Sequence, residues 1–372
     1  MKVLFIGGTG RLSKDVAALA IDKGHEVFLI TRGSSGRKKF VSSEYNMLFG
    51  DIRNVDEAKR LISDYSFDVV VDFLTYNIEQ LKKTLNIIHD KYKQYIFIST
   101  ATVYKKKSEN EIISEDSTEI GNDKWQYAYD KYLCEEYLKK YFAGLEQTYT
   151  IVRPYVTYGN TRVPYPIVPG DVTKEWSLID RILNGRPIPV FDKGQTITTL
   201  THTRDFAKGV VGLFGNECSY GEAFHITSDE TTTWGQVLEC LEKKLNKKII
   251  HAEMSQEQIY REIPMYQGIL QGDKGTTMRF NNNKIHNVVK EFSCKISLEE
   301  GIADMIDFYN ANPDIKLIDY YWDGCIDRLC NKVLNLHFVK YEFPDAKEKI
   351  RYYMGRYKLI GDIYKIINKI RG

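Results

Sequence analysis

The chain has 372 residues, 43% of them hydrophobic, and is long enough for two joined domains with sizeable cores. Its 52 lysines and arginines nearly balance 50 acidic residues, which argues against a protein built around nucleic acid. The sequence has no apolar run of ~18 residues, it starts directly with a strand-like segment, and its cysteines lack zinc spacing, so we expect a cytoplasmic protein without a transmembrane segment, signal peptide or metal site.

Short apolar runs alternate with helical patterns in the first half of the chain. The predicted strands are Lys2–Ile6, Glu26–Ile30, Asn46–Ile52, Asp68–Leu74, Tyr95–Thr100 and Tyr149–Pro154. Their nearly continuous apolar character is typical of parallel strands that are covered on both faces. The repeated β-α-β order, with right-handed crossovers, predicts a doubly wound α/β sheet.

The segment FIGGTGRLSKDV, residues 5–16, follows the first strand and opens the first helix, which is the setting of a dinucleotide-binding turn. Gly7 permits the tight turn, while Gly8 and Gly10 let backbone N–H groups approach a pyrophosphate at the helix N-terminus. Ser13 occupies the position of the usual third glycine, and its small side chain is compatible with the site. The alternative is a glycine-rich turn that binds nothing, and the context favours binding.

Two polar residues after later strands suggest how an adenosine would be held. The second strand ends in Thr31-Arg32, where an acidic residue usually meets the ribose diol. A guanidinium suits a 2′-phosphate instead, so Arg32 favours NADP over NAD, unless it is simply a solvated loop cation. Asp51, after the third strand, is a candidate acceptor for the adenine amine or an ordinary loop residue.

Tyr127 and Lys131 are the candidate catalytic pair. They stand four residues apart at the start of a predicted helix and so share one face. An ammonium beside a phenol stabilises the phenolate, which can then exchange a proton with an alcohol near neutral pH. Thr100, at the carboxyl end of the fifth strand, is placed to orient a substrate oxygen. The alternatives are a surface pair and a role for Tyr129, which lacks a lysine four residues on.

Seven segments of the chain resemble, in order, the extended short-chain dehydrogenase/reductase family, the NAD-dependent epimerase/dehydratases. They are GGTGRLS, GDIRN, STATVY, YAYDKYLCE, VRPYVTYG, residues 185–210 and residues 224–245. The resemblance runs over roughly residues 1–250 and is closest to an atypical branch of the family.

The resemblance implies an NAD(P)-dependent enzyme in which Thr100, Tyr127 and Lys131 form the catalytic triad. The residues expected to bind NADP or NAD are Gly7, Gly8, Thr9, Gly10, Arg11, Leu12, Arg32, Asp51, Ile52 and Lys131. The implied substrate is a nucleotide-activated sugar, and a homodimer is among the expected assemblies. Ala101-Thr102 follows Thr100 where dehydratases of the family usually carry Asp-Glu, so epimerisation or ketone reduction is favoured.

A rival hypothesis is a protein of the same fold that binds NAD(P) without turnover and acts as a regulatory or RNA-associated subunit. Chloroplast stem-loop RNA-binding proteins belong near the same branch of the family. Retention of Thr100, Tyr127 and Lys131 argues against this alternative, as does the balanced charge.

The family resemblance also predicts the domain organisation. Residues 1–154 are expected to form a Rossmann dinucleotide-binding domain, with a returning segment around 200–227. Residues 155–316 are expected to form a smaller mixed α/β substrate domain interleaved with it. The family pattern ends at about residue 315, and residues 317–372 are expected to form a helical C-terminal extension. Its apolar stripe Ile360–Ile370 is expected to pack on the body of the protein or on another subunit, and the alternative is a membrane-surface or partner helix.

Overall fold

The computed structural model describes residues 1–33, 44–106, 108–334 and 342–358. The chain divides into two compact units. The first unit comprises Met1–Thr157, Thr199–Thr231 and Met278–Ser297. The second unit comprises Tyr158–Thr198, Thr232–Thr277 and Leu298–Gly372.

Strands and helices follow one another along both units. The strands are β1 Lys2–Ile6, β2 Glu26–Thr31, β3 Asn46–Phe49, β4 Phe67–Asp72, β5 Tyr92–Ile98, β6 Ile112–Ile113, β7 Thr148–Pro154, β8 Val156–Tyr158, β9 Ile188–Val190, β10 Ile197–Thr198, β11 Leu200–His202, β12 Ala223–Ile226, β13 Thr232–Thr233, β14 His251–Glu253 and β15 Arg279–Phe280. The helices are α1 Ser13–Asp22, α2 Val55–Ile62, α3 Ile78–Ile88, α4 Gln126–Tyr141, α5 Trp176–Leu183, α6 Thr203–Gly212, α7 Trp234–Leu245, α8 Gln256–Glu262, α9 Tyr266–Ile269, α10 Asn283–Val288, α11 Leu298–Ala311, α12 Tyr320–Leu334 and α13 Ala346–Arg356.

A parallel sheet forms the centre of the first unit. Among the described residues it has seven strands in the order β12-β7-β5-β4-β1-β2-β3, and neighbouring strands run parallel. The strand order reverses direction at β1, so a crevice opens beyond the carboxyl ends of β1 and β4, where ligands bind in such sheets. The predicted doubly wound α/β fold is confirmed.

Alternating side chains of each strand supply two separate hydrophobic layers. On one face Val3 and Phe5 of β1 join a buried cluster that includes residues of α1 and α6. On the other face Leu4 and Ile6 join a buried cluster that includes residues of α2, α3 and α4. Because both faces are covered, the strands require apolar side chains at successive positions, which is the pattern seen in the sequence.

Strands β3, β4 and β5 end two or three residues earlier than predicted. The same type of side-chain hydrogen bond follows each of them. Asp51, Asp72 and Thr100 each accept a hydrogen bond from the backbone N–H two residues further along the chain. Such side-chain hydrogen bonds compete with the sheet ladder and turn the chain. Polar residues therefore line the carboxyl edge of the sheet, after β3, β4 and β5.

The second unit contains short strand pairs and a group of helices. Strands β9 and β14 pair in parallel, and β10 and β13 pair antiparallel. Arg181 of α5 donates hydrogen bonds to Asp323 and Asp327 of α12, and Arg186 pairs with Asp323 as well. These buried ion pairs join α12, which lies in the predicted C-terminal extension, to the α5 region of the same unit.

The last helices, α12 and α13, confirm a helical C-terminal part. Their backbones lie so close at the crossing that a Cβ on Gly324 or Gly355 would collide with backbone atoms of the facing helix. The Ile360–Ile370 stripe lies outside the described residues. No helix in the described ranges is long and apolar enough to cross a membrane.

Candidate active site

The predicted dinucleotide turn lies between β1 and α1. Gly7 adopts φ +86°, a left-handed conformation that favours glycine, and a Cβ there would lie 2.5 Å from the Leu74 side chain. Gly10 donates its N–H to the Gly7 carbonyl at 3.2 Å, which closes the turn. A Cβ on Gly8 would collide with Leu29. The glycines are therefore required by both the turn and the packing of the chain behind it.

Ser13 takes a specific role at the position of the missing third glycine. Its buried hydroxyl donates a hydrogen bond to the Gly7 carbonyl at 2.6 Å and accepts one from the Gly10 N–H at 2.9 Å. The side chain thus joins both ends of the turn to the first residue of α1. The serine preserves the turn by hydrogen bonding, in addition to being small enough to fit.

A cavity of about 200 Å³ opens above this turn. It is lined by Gly7, Thr9, Gly10, Ile30, Thr31, Arg32, Gly50, Asp51, Ile52, Arg53 and Leu74. Six of the predicted cofactor residues thus meet at one cavity, namely Gly7, Thr9, Gly10, Arg32, Asp51 and Ile52. Of the others, Gly8 packs against Leu29, Leu12 packs against the core, and Arg11 and Leu12 lead into α1.

The cavity offers the polar groups that the pyrophosphate and adenosine parts of a dinucleotide require. Close approach is possible where Gly7 and Gly10 carry no side chain, and the N-terminus of α1 favours an anion. The Arg32 and Arg53 guanidinium groups and the Asp51 carboxylate supply groups that recognise phosphate, ribose or adenine. The Asp51 carboxylate also accepts a hydrogen bond from Arg53 N at 3.0 Å, which fixes its orientation.

Lys131 lies in the middle of α4 with only 2% of its surface exposed. Its ammonium donates hydrogen bonds to the carbonyl of Thr75 at 2.5 Å and to the carbonyl of Ile98 at 2.7 Å. It also lies 5.1 Å from the centre of the Tyr76 ring and 4.7 Å from that of Phe97. Burial lowers the pKa of Lys131 to about 8, and nearby Asp72 opposes this shift. The Lys131 ammonium is therefore a stronger acid than that of an exposed lysine.

Tyr127 lies in the first turn of α4, one helical turn before Lys131. The half-buried ring has its centre 6.3 Å from that of Tyr76 and 4.9 Å from that of Trp125. The Tyr76 ring thus lies beside the Tyr127 ring and also beside the Lys131 ammonium. The competing Tyr129 is 37% exposed, and its ring packs on Tyr132 at 5.7 Å.

Thr100 follows β5 and is buried, with 5% of its surface exposed. Its hydroxyl oxygen accepts a hydrogen bond from Thr102 N at 3.2 Å and lies 3.0 Å from the hydroxyl of Thr102. The Thr100 hydroxyl carries one proton, and the Thr102 hydroxyl lies within reach as its acceptor or as a second donor. The sequence did not identify Thr102 as a neighbour of this group.

A family model described as the NAD dependent epimerase/dehydratase family matches residues 3–226 of the chain. The protein belongs to this family. In this member of the family, the matched segment contains the glycine turn, Thr100, Tyr127 and Lys131.

Individual relatives point in two directions. The chain is 30% identical over 244 residues to chloroplast stem-loop binding protein of 41 kDa b from Arabidopsis thaliana; the match covers 63% of this chain and 60% of the relative. It is 24% identical over 269 residues to a UDP-glucose 4-epimerase from Corynebacterium glutamicum, covering 64% of this chain and 79% of the relative. The chain thus spans about three fifths of the length of the first relative.

Solved structures share the fold at lower identity. An epimerase from Methanothermobacter thermautotrophicus superposes with a TM-score of 0.71 at 15% identity, covering 85% of this chain and 94% of that structure. The UDP-glucuronic acid 4-epimerase from Bacillus cereus in complex with NAD gives a TM-score of 0.67 at 20% identity, covering 84% and 99%. These similarities establish the fold of this family member.

Sequence reasoning missed a buried hydrogen-bond network behind the site. Glu135, one turn after Lys131, accepts hydrogen bonds from Ser99 at 2.5 Å and from Arg153 at 2.6 and 3.1 Å. Arg153 also donates to the hydroxyl of Tyr104 at 3.0 Å. The network joins β5, α4 and β7 around the segment that carries Thr100. The Lys-x-x-x-Glu spacing in YAYDKYLCE and the Arg-Pro pair were its only signals in the sequence.

Proposed function

We propose that the protein is an NAD-dependent epimerase that acts on a nucleotide-activated sugar. The main supporting observation is that two consecutive residues, Leu74 and Thr75, connect the dinucleotide cavity with Lys131. Leu74 lines the dinucleotide cavity, and the next residue holds the buried Lys131 ammonium through its carbonyl. The Lys131 ammonium is thus held by the residue that directly follows a lining residue of that cavity. The relatives named as UDP-glucose 4-epimerases favour epimerisation over ketone reduction.

The proposed mechanism assigns one role to each residue of the triad. A bound nicotinamide would accept a hydride from the sugar and return it. Tyr127, as phenolate, takes the proton of the reacting hydroxyl and later gives it back. Lys131 stabilises that phenolate by its charge and contributes hydrogen bonds to the cofactor ribose. Thr100 donates a hydrogen bond from its hydroxyl to the reacting oxygen and so orients it.

Cofactor choice is part of the proposal. The structures from Bacillus cereus and Thermus thermophilus are complexes with NAD, which favours NAD. The guanidinium groups of Arg32 and Arg53 at the cavity suit a 2′-phosphate, which favours NADP. Calorimetric titration with both dinucleotides decides between them. A protein that binds neither would contradict the proposed use of the glycine turn.

Activity is tested with a panel of UDP-sugars, including UDP-glucose and UDP-glucuronic acid, by following the appearance of the C4 epimer. On a confirmed substrate, Tyr127→Phe should lower turnover by about 10²–10⁴-fold with little change in cofactor affinity. Lys131→Met should weaken both, and Thr100→Val should weaken turnover alone. Tyr129→Phe, on the exposed side of the same helix, is the matched control. Full activity of Tyr127→Phe would refute the assignment.

The stem-loop binding relative supports RNA binding without turnover as a second candidate. This candidate predicts tight binding of a stem-loop RNA at near-physiological salt and no epimerisation of any UDP-sugar. The primary proposal predicts weak RNA binding that disappears as salt is raised, because only nonspecific phosphate contacts would contribute. Titration of a labelled stem-loop at two salt concentrations, beside the UDP-sugar panel, separates the two.

A further inference from the structure

Asp72 is a fully buried carboxylate at the end of β4. One of its oxygens accepts hydrogen bonds from Leu74 N at 2.8 Å and Thr75 N at 3.0 Å. The other oxygen accepts hydrogen bonds from the Thr75 hydroxyl at 2.6 Å and the Tyr95 hydroxyl at 2.7 Å. Four donors therefore hold one carboxylate, which compensates for its removal from water. The family resemblance gave no role to this residue.

The turn that these hydrogen bonds hold also binds the Lys131 ammonium. Asp72 binds both the N–H and the hydroxyl of Thr75, so it fixes the conformation of the turn after β4. The carbonyl of the same Thr75 accepts the hydrogen bond of the Lys131 ammonium. The second acceptor, the carbonyl of Ile98, belongs to the neighbouring strand β5. The position of the ammonium thus depends on a turn that Asp72 organises.

The charge of Asp72 matters as well as its geometry. An ammonium with 2% exposure loses nearly all its hydration, and two carbonyls and the faces of Tyr76 and Phe97 replace only part of it. Among the titratable groups near Lys131, Asp72 of β4 is the largest contributor that raises its pKa, followed by Cys134 and Glu135 of α4. A negative charge close to the ammonium favours its protonated form.

We propose that Asp72 is a positioning residue for Lys131: it fixes the Thr75 carbonyl that binds the ammonium and supplies the negative charge that balances it. The proposal rests on the proposed function, because that function is what assigns Lys131 to the cofactor and the phenolate. It adds a residue that touches neither substrate nor cofactor and acts through Lys131.

The test is a direct titration of Lys131 in the cofactor-free protein by NMR, using lysines labelled with ¹³C at Cε. The signal that is missing in Lys131→Met identifies the residue. Asp72→Asn keeps the shape of the side chain and removes the charge, and the hydroxyls of Thr75 and Tyr95 can rotate to accept from the new amide. We expect a midpoint near pH 8 in the unaltered protein and one lower by about one pH unit or more in Asp72→Asn.

Tyr95→Phe is the matched control, because it removes one hydrogen bond to Asp72 and leaves the charge in place. Its Lys131 midpoint should equal that of the unaltered protein. Equal midpoints in Asp72→Asn and the unaltered protein would overturn the proposal. If Asp72→Asn does not fold, Asp72→Ser takes its place with the same two outcomes, because it also removes the charge while a hydroxyl oxygen remains near the backbone N–H groups of Leu74 and Thr75.

Titration with NAD from pH 6 to pH 9 distinguishes a failure of this proposal from a failure of the proposed function. If Lys131 binds the cofactor as an ammonium, NAD affinity should fall as the pH passes the Lys131 midpoint, and in Asp72→Asn the fall should occur at lower pH. NAD affinity that ignores the protonation of Lys131 contradicts the role of Lys131 in the proposed function. The shift of the midpoint itself tests Asp72 alone.

Discussion

Replacing Ser13 with alanine removes one oxygen atom from the centre of the dinucleotide turn. That oxygen bonds both the carbonyl of Gly7 and the N–H of Gly10 and is buried. The Gly10 N–H keeps a second partner, the Gly7 carbonyl at 3.2 Å, after the substitution. The change therefore deletes two hydrogen bonds without leaving the N–H wholly unsatisfied.

The magnitude follows from these contacts. A typical intramolecular hydrogen bond contributes about 0.5–1.5 kcal/mol net, so two of them would give about 1–3 kcal/mol. The remaining partner of Gly10 moves the expected loss of unfolding free energy to about 1–2 kcal/mol. For a unit of about 200 residues, this lowers the Tm by about 2–8 °C.

Differential scanning calorimetry of the cofactor-free protein measures the change, and NAD titration measures its functional consequence. If the less ordered turn costs NAD about 1.4 kcal/mol of binding free energy, NAD should bind about tenfold more weakly. Ser66→Ala, an exposed serine just before β4, is the control and should leave both quantities unchanged. A Tm for Ser13→Ala equal to that of Ser66→Ala would refute the role given to the hydroxyl.

Two further predictions concern packing and pH. Gly324→Ala places a methyl group against the Tyr352 carbonyl of the facing helix and should lower the free energy of unfolding by about 3 kcal/mol. Val333→Ala, at an exposed position of the same helix, is the control and should change it little. Equal denaturation midpoints for the two variants would contradict the close crossing of the helices. Burial lowers the pKa of His225 to about 4 from 6.5. As the pH drops from 6.5 to 4, His225 therefore takes up a proton in the unfolded chain but not in the folded protein, and the stability should fall over this range. His225→Gln should flatten that part of the Tm-against-pH curve, and an unchanged slope would show that His225 is not the group responsible.

The sequence predicted the parts of the fold that depend on local pattern. Continuous apolar runs identified the main strands of the central sheet. The glycine turn and the Tyr127–Lys131 helix also follow from spacing along the chain. Strand ends were predicted too late, because apolar character does not reveal that Asp72 and Thr100 capture backbone N–H groups.

Contacts that depend on sheet register could not be predicted in the same way. The hydrogen bond from Tyr95 to Asp72 requires β4 and β5 to pair with Asp72 opposite Phe97, and no local pattern fixes that register. The Ser13 hydroxyl bonds depend on the curvature of the turn between Gly7 and Gly10. The sequence therefore indicated which residues carry the proposed chemistry, and only the three-dimensional arrangement revealed which residues hold them in position.

The buried Lys131 ammonium bears on the choice between an enzyme and a protein that binds without turnover. Removing an ammonium from water costs several kcal/mol, and an apolar side chain of similar volume often serves the fold equally well. This chain instead surrounds the ammonium with two carbonyls, two aromatic faces and a buried carboxylate. Burial lowers the pKa of Lys131 to about 8, so a positive charge is kept here at a free-energy cost that packing alone does not require. These surroundings agree better with the role proposed for the Lys131 charge beside Tyr127 than with a purely structural role.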